Sequence, residues 1–307
     1  MRRIRLDVLL PVGSRRAAWS LQARHKRTRP QRTASPRPKK AQLGAWASFS
    51  ELSPEQSVLL RDKTVATLPK LNARSLGLLA RTAAKAGASC DEPTWQELWH
   101  GVEAAARSLE HKPNDAANLV WALATVRYAA SEELLDRLAT TLIRHTSDLT
   151  PSAVATASWG YAMLAHPAPL LQQAMGAAMR ARLDAFEPHE MCSILWAFAA
   201  ADTPNAAVLS SLGLRNYIER VDWQSPADLC RLHQWRLWCE ERELQGVARL
   251  SPALAARCEE AFHTTDVSPS AMQGAVAEAL ESLGMSPLHE VSEIEVRLKW
   301  QRDLSGE

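Results

Sequence analysis

Four prolines, Pro113, Pro151, Pro188 and Pro226, recur at intervals of 38, 37 and 38 residues, and a tryptophan stands eight residues after each of the first three: Trp121, Trp159 and Trp196. A period of this length belongs to stacked helical hairpins, because one hairpin cannot bury its apolar face alone and must use its neighbour. Proline suits the first turn of a helix, where its missing N–H is one of the donors left over anyway. The segments that open on these prolines, such as Pro188-HEMCSILWAFAAA, therefore read as the first helices of successive hairpins. A weaker copy without the proline begins at Asn72, with Leu79 in the place of Trp121. Second helices follow with amphipathic spacing over roughly Trp95 to His111, Glu132 to His145, Leu170 to Phe186 and Ala206 to Glu219. The expected fold is all-α, an α-solenoid of helical hairpins with a 37–38 residue repeat.

On a helical wheel, positions three, six and ten after each proline, for example Met191, Ile194 and Phe198, form one apolar face. The tryptophan lies nearly opposite, so each first helix has two apolar sides and is expected to be sandwiched, one on its partner helix and one on the next repeat. Small residues at plus nine (Ala122, Gly160, Ala197) and plus eleven (Ala124, Ala162, Ala199) allow close approach. The indoles have two readings, wedges between repeats or platforms for nucleic-acid bases. Between the two apolar sides runs a strip of varying polar residues at plus five: Asn118, Thr156, Ser193 and Arg231. Helical-repeat RNA binders read bases with one or two such side chains per repeat, although any half-exposed helix accepts the same residue types.

A second periodic series is Arg107, Arg144, Arg182, Arg220 and Arg257, at steps of 37, 38, 38 and 37 residues. Stacked hairpins would align these arginines along one edge, where guanidinium groups suit a phosphate backbone. Cations at helix C-termini also complement the helix dipole with no ligand.

Charge is unevenly divided. The first 40 residues carry ten Arg and three Lys against the single acid Asp7, a net +12, so the rest of the +2 chain carries −10. Four prolines and so few acids prevent a packed core there. Residues 1–45 accordingly read as a transit peptide with a disordered basic linker, the competing readings being a nucleic-acid-binding arm and a plain tail. Residues 46–262 read as the solenoid. The longest apolar run outside that arm, Met191 to Ala201, is about half a membrane span, so no transmembrane helix is expected. Five cysteines, none in a CxxC pair, read as buried thiols of a reducing compartment.

After Phe262 the prolines lose their period and residues 263–307 read as a separate C-terminal segment. Its Ser270, Gln273, Val276, Leu280, Leu283-Gly284 and Glu290 follow the helical spacing with which a RAP domain opens. With repeats of 37–38 residues around Trp-Ala or Trp-Gly, the chain resembles the organellar octotricopeptide and heptatricopeptide repeat proteins and the FAST-kinase-like proteins. The acidic strand motif that follows in a RAP domain is absent from Val291–Glu307, so the resemblance implies a truncated or missing RAP domain and transfers no nuclease residues. It implies import into mitochondria, or alternatively chloroplasts, and action on the processing, stability or translation of single-stranded or ribosomal RNA. Other ribonucleoprotein subunits are further implied partners.

No GxxxxGK[ST], GxGxxG, HExxH or GxSxG sequence occurs, and the nine histidines form no close ligand spacing. The expectation is an RNA-binding repeat protein that is not an enzyme and needs no cofactor or metal. Its competitor is a protein-binding scaffold within an organellar ribonucleoprotein. The −10 body requires any RNA surface to be locally positive.

Overall fold

A computed structural model describes residues 53–244 and 249–264; the basic N-terminal arm and the RAP-like stretch lie outside them. The helices described up to Phe262 belong to one compact unit, Arg29–Phe262. In chain order they are α1 (Pro54–Val65), α2 (Ala73–Ala86), α3 (Pro93–Arg107), α4 (Pro113–Thr125), α5 (Glu132–Arg144), α6 (Pro151–Met163), α7 (Pro169–Ala181), α8 (Pro188–Ala200), α9 (Ala206–Leu209), α10 (Leu212–Arg220), α11 (Pro226–Glu241) and α12 (Pro252–Thr264). No strand occurs among the described residues. The fold is an all-α solenoid of helical hairpins, as the period requires.

The first helices α2, α4, α6, α8 and α11 pack side by side as one layer, and α1, α3, α5 and α7, continued by the broken pair α9 and α10, lie against one another as a second. Each recurring proline occupies the first helical position. Side-chain caps precede some of these starts: Asn72 Oδ1 accepts from the Ser75 amide at 2.9 Å and Thr150 Oγ1 from the Ala153 amide at 3.2 Å. Such caps satisfy donors that the first turn leaves unpaired.

Asn72 also fixes the register of the first copy. With Ala73 rather than a proline as first helical residue, Leu76 and Leu79 fall on the face of Met191 and Ile194, and both are buried. Arg81 therefore occupies the tryptophan position, which corrects the alignment of Leu79 with Trp121.

The ends of the first helices repeat as closely as their starts. Gly87, Arg127, Ala165, Asp202 and Glu243 all have positive φ, between 47° and 94°. After each, the next amide returns to a carbonyl five residues back, for example Tyr128 N to Leu123 O at 2.9 Å and Thr203 N to Phe198 O at 3.0 Å. This is a Schellman stop, in which a left-handed residue turns the chain into the next helix. Only the first copy uses glycine.

The core lies between the layers, on the three, six and ten face, where Leu119, Val154, Met191, Ile194 and Phe198 are wholly buried. Lateral contact between first helices is close where a small residue permits it. A Cβ on Gly160 would come within 2.6 Å of Val120 Cγ1. Hydrogen bonds tie successive hairpins: Tyr161 Oη donates to Leu135 O at 2.6 Å and Tyr217 Oη to Phe186 O at 2.8 Å.

The second helices differ from expectation at their boundaries. Pro93 and Pro169 begin two of them, and the stretches after α5 and α7 tighten into single 3₁₀ turns at Thr146–Asp148 and Leu183–Ala185. The expected helix from Ala206 to Glu219 is broken, because Ser211 caps a new helix by accepting from the Leu214 amide at 3.2 Å.

Candidate nucleic-acid interface

The face of the first-helix layer turned away from the second helices is built from helical positions one, five, eight and twelve after the first residue, a single stripe at helical spacing. On α2 these are Arg74, Leu78, Arg81 and Lys85; on α4 Asn114, Asn118, Trp121 and Thr125; on α6 Ser152, Thr156, Trp159 and Met163. The tryptophans thus belong to an outer face and are covered from the sides by neighbouring first helices. The contact of Trp121 with Trp159 is one between neighbouring repeats, as the wedge reading expects.

Lateral cover is uneven. Trp121 and Trp196 are each 7 % exposed, whereas Trp159 is only half-buried. The Trp121 and Trp159 rings lie 6.5 Å apart and tilted by 33°. In the first repeat the Arg81 guanidinium lies over the Trp121 ring, 4.5 Å from its centroid, and Nη1 donates to Asn118 Oδ1 at 2.9 Å. Arg81, Trp121 and Trp159 form one continuous row, cation on aromatic on aromatic.

The plus-five strip is brought together on this face, but its members differ in availability. Asn118 is half-buried and engaged by Arg81, and Ser193 Oγ donates to His189 O at 2.7 Å. Arg231 pairs with Asp228 at 3.0 Å. Thr156 is 7 % exposed, which corrects its assignment to a base-facing strip.

The arginine ladder also has another use. Arg107 pairs with Glu133 and Arg220 with Asp184, the latter at 2.5 Å. Arg182 Nη1 donates to Leu149 O at 3.0 Å and Arg257 Nη2 to Trp223 O at 2.5 Å, each reaching the loop that leads into the first helix of its own repeat. Arg144 stands exposed at the end of α5 with no carboxylate or carbonyl partner among the described residues. The period of the ladder is therefore largely the period of ties between hairpins and to their own loops.

What sequence reasoning missed is α2. Arg74, Arg81 and Lys85 are spaced by seven and four residues, so they share one face, and α2 contains no acid. None of the three forms a salt bridge among the described residues. Burial lowers the pKa of Lys85, and the neighbouring Arg81 lowers it further. The nearest opposing charge is Asp115, whose carboxyl burial pushes up and Arg74 holds down. The signal was legible as an acid-free helix with cations at helical spacing, but the two-residue error in register hid it.

Catalytic arrangements are not prominent. A cavity of about 210 Å³ lies between Pro169, Gln172, Gln173 and the loop Asp202–Asn205. Its carboxylate, Asp202, is already held by Trp238 Nε1 at 3.0 Å and Arg242 Nη2 at 2.7 Å. No group of three or more His, Cys, Asp or Glu suited to a metal occurs among the described residues. Burial raises the thiol pKa of Cys192 well above its ordinary value and that of Cys239 to about 12, which disfavours the reactive thiolate. No described helix is long and apolar enough to cross a membrane.

Searches against protein-family models and against curated protein sequences return no match.

Proposed function

We propose that this chain is an organellar RNA-binding solenoid that acts in RNA processing, stability or translation by covering or presenting single-stranded or ribosomal RNA, without catalysis of its own. The observation that carries this reading is the row Arg81, Trp121 and Trp159 on the outer face of the first helices, beside Arg74 and Lys85, which form no salt bridge among the described residues. Aromatic faces stack bases of any sequence, and cations beside them follow the backbone. A locally basic face is what a body of net charge −10 needs in order to hold a polyanion. The Arg-rich, acid-poor residues 1–40 support delivery to mitochondria, or to chloroplasts in a photosynthetic cell. The RAP-like spacing after Phe262 points to the same class of organellar RNA proteins.

Crosslinking and sequencing of RNA from organelles that express the full chain tests the reading. Recovery of discrete organellar transcripts is expected. Recovery of protein partners alone, with no RNA crosslinked, would instead establish a scaffold. A reporter fused to residues 1–45 is expected to enter the organelle, and one that stays in the cytosol removes the organellar part.

A further inference from the structure

We infer that α2 is the phosphate-holding end of the interface: an RNA strand runs along Arg74, Arg81 and Lys85 and turns a base onto the half-exposed face of Trp159. This inference rests on the RNA reading above and adds which residues hold the backbone. Between Arg74 and Lys85 the helix rises by about 16 Å, longer than one phosphate and suited to a strand.

Several cations elsewhere in the chain are already paired. Arg107, Arg220, Arg231 and Arg236 each face a carboxylate, Glu133, Asp184, Asp228 and Glu240. Arg81 and Lys85 have no such carboxylate within ion-pair distance among the described residues, Arg74 has only the charge of Asp115 near it, and Arg81 stands close enough to disfavour the charge of Lys85. Two neighbouring cations left together without a counter-charge are relieved by an anion from outside.

Arg81 is moreover prearranged. Its guanidinium carbon lies 4.5 Å from the centre of the Trp121 ring and its Nη1 is fixed by Asn118, so its remaining N–H groups, which have no partner among the described residues, are held in place as a fork. A fork suits phosphate oxygens, and a prefixed one loses less freedom on binding. Trp159 continues the row and is only half-buried, as a base platform requires.

The test uses the full chain and a 20-nucleotide single-stranded RNA of mixed sequence, titrated at several salt concentrations. In the combined variant Arg74→Gln, Arg81→Gln, Lys85→Gln the slope of log K against log salt is expected to flatten by about two, near 0.7 for each lost phosphate contact. Affinity is expected to fall at least tenfold at low salt. Arg107→Gln with Arg220→Gln is expected to leave the slope unchanged. Trp159→Ala is expected to weaken binding equally at every salt concentration. Arg81→Lys, which keeps the charge and loses the guanidinium fork over Trp121, is expected to retain the slope and lose part of the affinity, a pattern that separates phosphate contact from general damage to the fold. If the parent binds RNA and the α2 variant keeps the parent slope, the inference is wrong and the RNA reading stands. A parent that does not bind RNA at all removes both.

Discussion

Two rows of side chains run through this solenoid with the same period, one on the outer face of the first helices and one that begins at the ends of the second and ends on Arg257 within α12. The second-helix row, Arg107 to Arg257, is chemically uniform, and four of its five members are tied to carboxylates or carbonyls of the fold. The first-helix row is not uniform. It passes from Arg81 through Trp121, Trp159 and Trp196 to Gln234, and its cover varies along its length. Strict repetition of one residue reports a contact that every hairpin must make with its neighbour. A recognition surface shows itself where the repeated backbone carries a different side chain, and in this row those places are Arg81 and the half-exposed Trp159.

The largest expected effect separates two tryptophans that the sequence makes equivalent. Trp196→Ala should destabilise the fold by about 3 to 5 kcal/mol, since its indole is nearly enclosed by its neighbours. Trp159→Ala leaves a partly open site and should cost roughly half of that. The order reverses for ligand: Trp159→Ala should lose about 1 to 3 kcal/mol of RNA binding. Urea unfolding of both variants, paired with RNA titration, checks the contrast. Equal stability losses would mean that the two rings pack alike and that the difference in exposure has no functional meaning.

A smaller effect should divide the arginine row. Arg182 donates to Leu149 O from a partly buried position, so Arg182→Gln should cost about 1 to 2 kcal/mol, in the range for a charged hydrogen bond. Arg144 is exposed and lacks such a tie, and Arg144→Gln should stay within about 0.5 kcal/mol. If both variants melt with the parent, the row is not structural after all, and its arginines return as candidates for phosphate contact.

Much of this was legible in the chain. Pro113, Pro151, Pro188 and Pro226 announce helix starts because a ring without an N–H is tolerated there, and the starts fall on those residues. The three, six and ten face is buried as the wheel demands. What failed was whatever depends on lateral neighbours. A wheel gives Thr156 a half-exposed position and cannot know that packing in the first-helix layer buries it. It makes the row of arginines a free edge and cannot see Leu149 O or Asp184 across the gap. In the first copy, with no proline to set the register, apolar matching chose Leu79 and so concealed Arg81. Helix α1 lacks the period altogether and was not foreseen.

The ends of the first helices give the smallest effect, and the one least visible in composition. Ala165 and Asp202 occupy the same left-handed position, with φ of 51° and 47°, where an L residue costs about 1 to 2 kcal/mol and glycine almost nothing. Glycine in turn loses more freedom on folding, so the two effects partly cancel. Ala165→Gly should therefore stabilise the protein by about 0.5 to 1 kcal/mol, read as a small rise in Tm. Asp202→Gly relieves the same strain yet removes the carboxylate that holds Trp238 Nε1 and Arg242, and it should destabilise. Opposite signs at one repeat position would extend the contrast between the two rows to a third: the backbone sets where a residue sits, and its partners decide what the residue is worth. Two rises of equal size would show instead that the bonds to Trp238 and Arg242 contribute nothing beyond the turn.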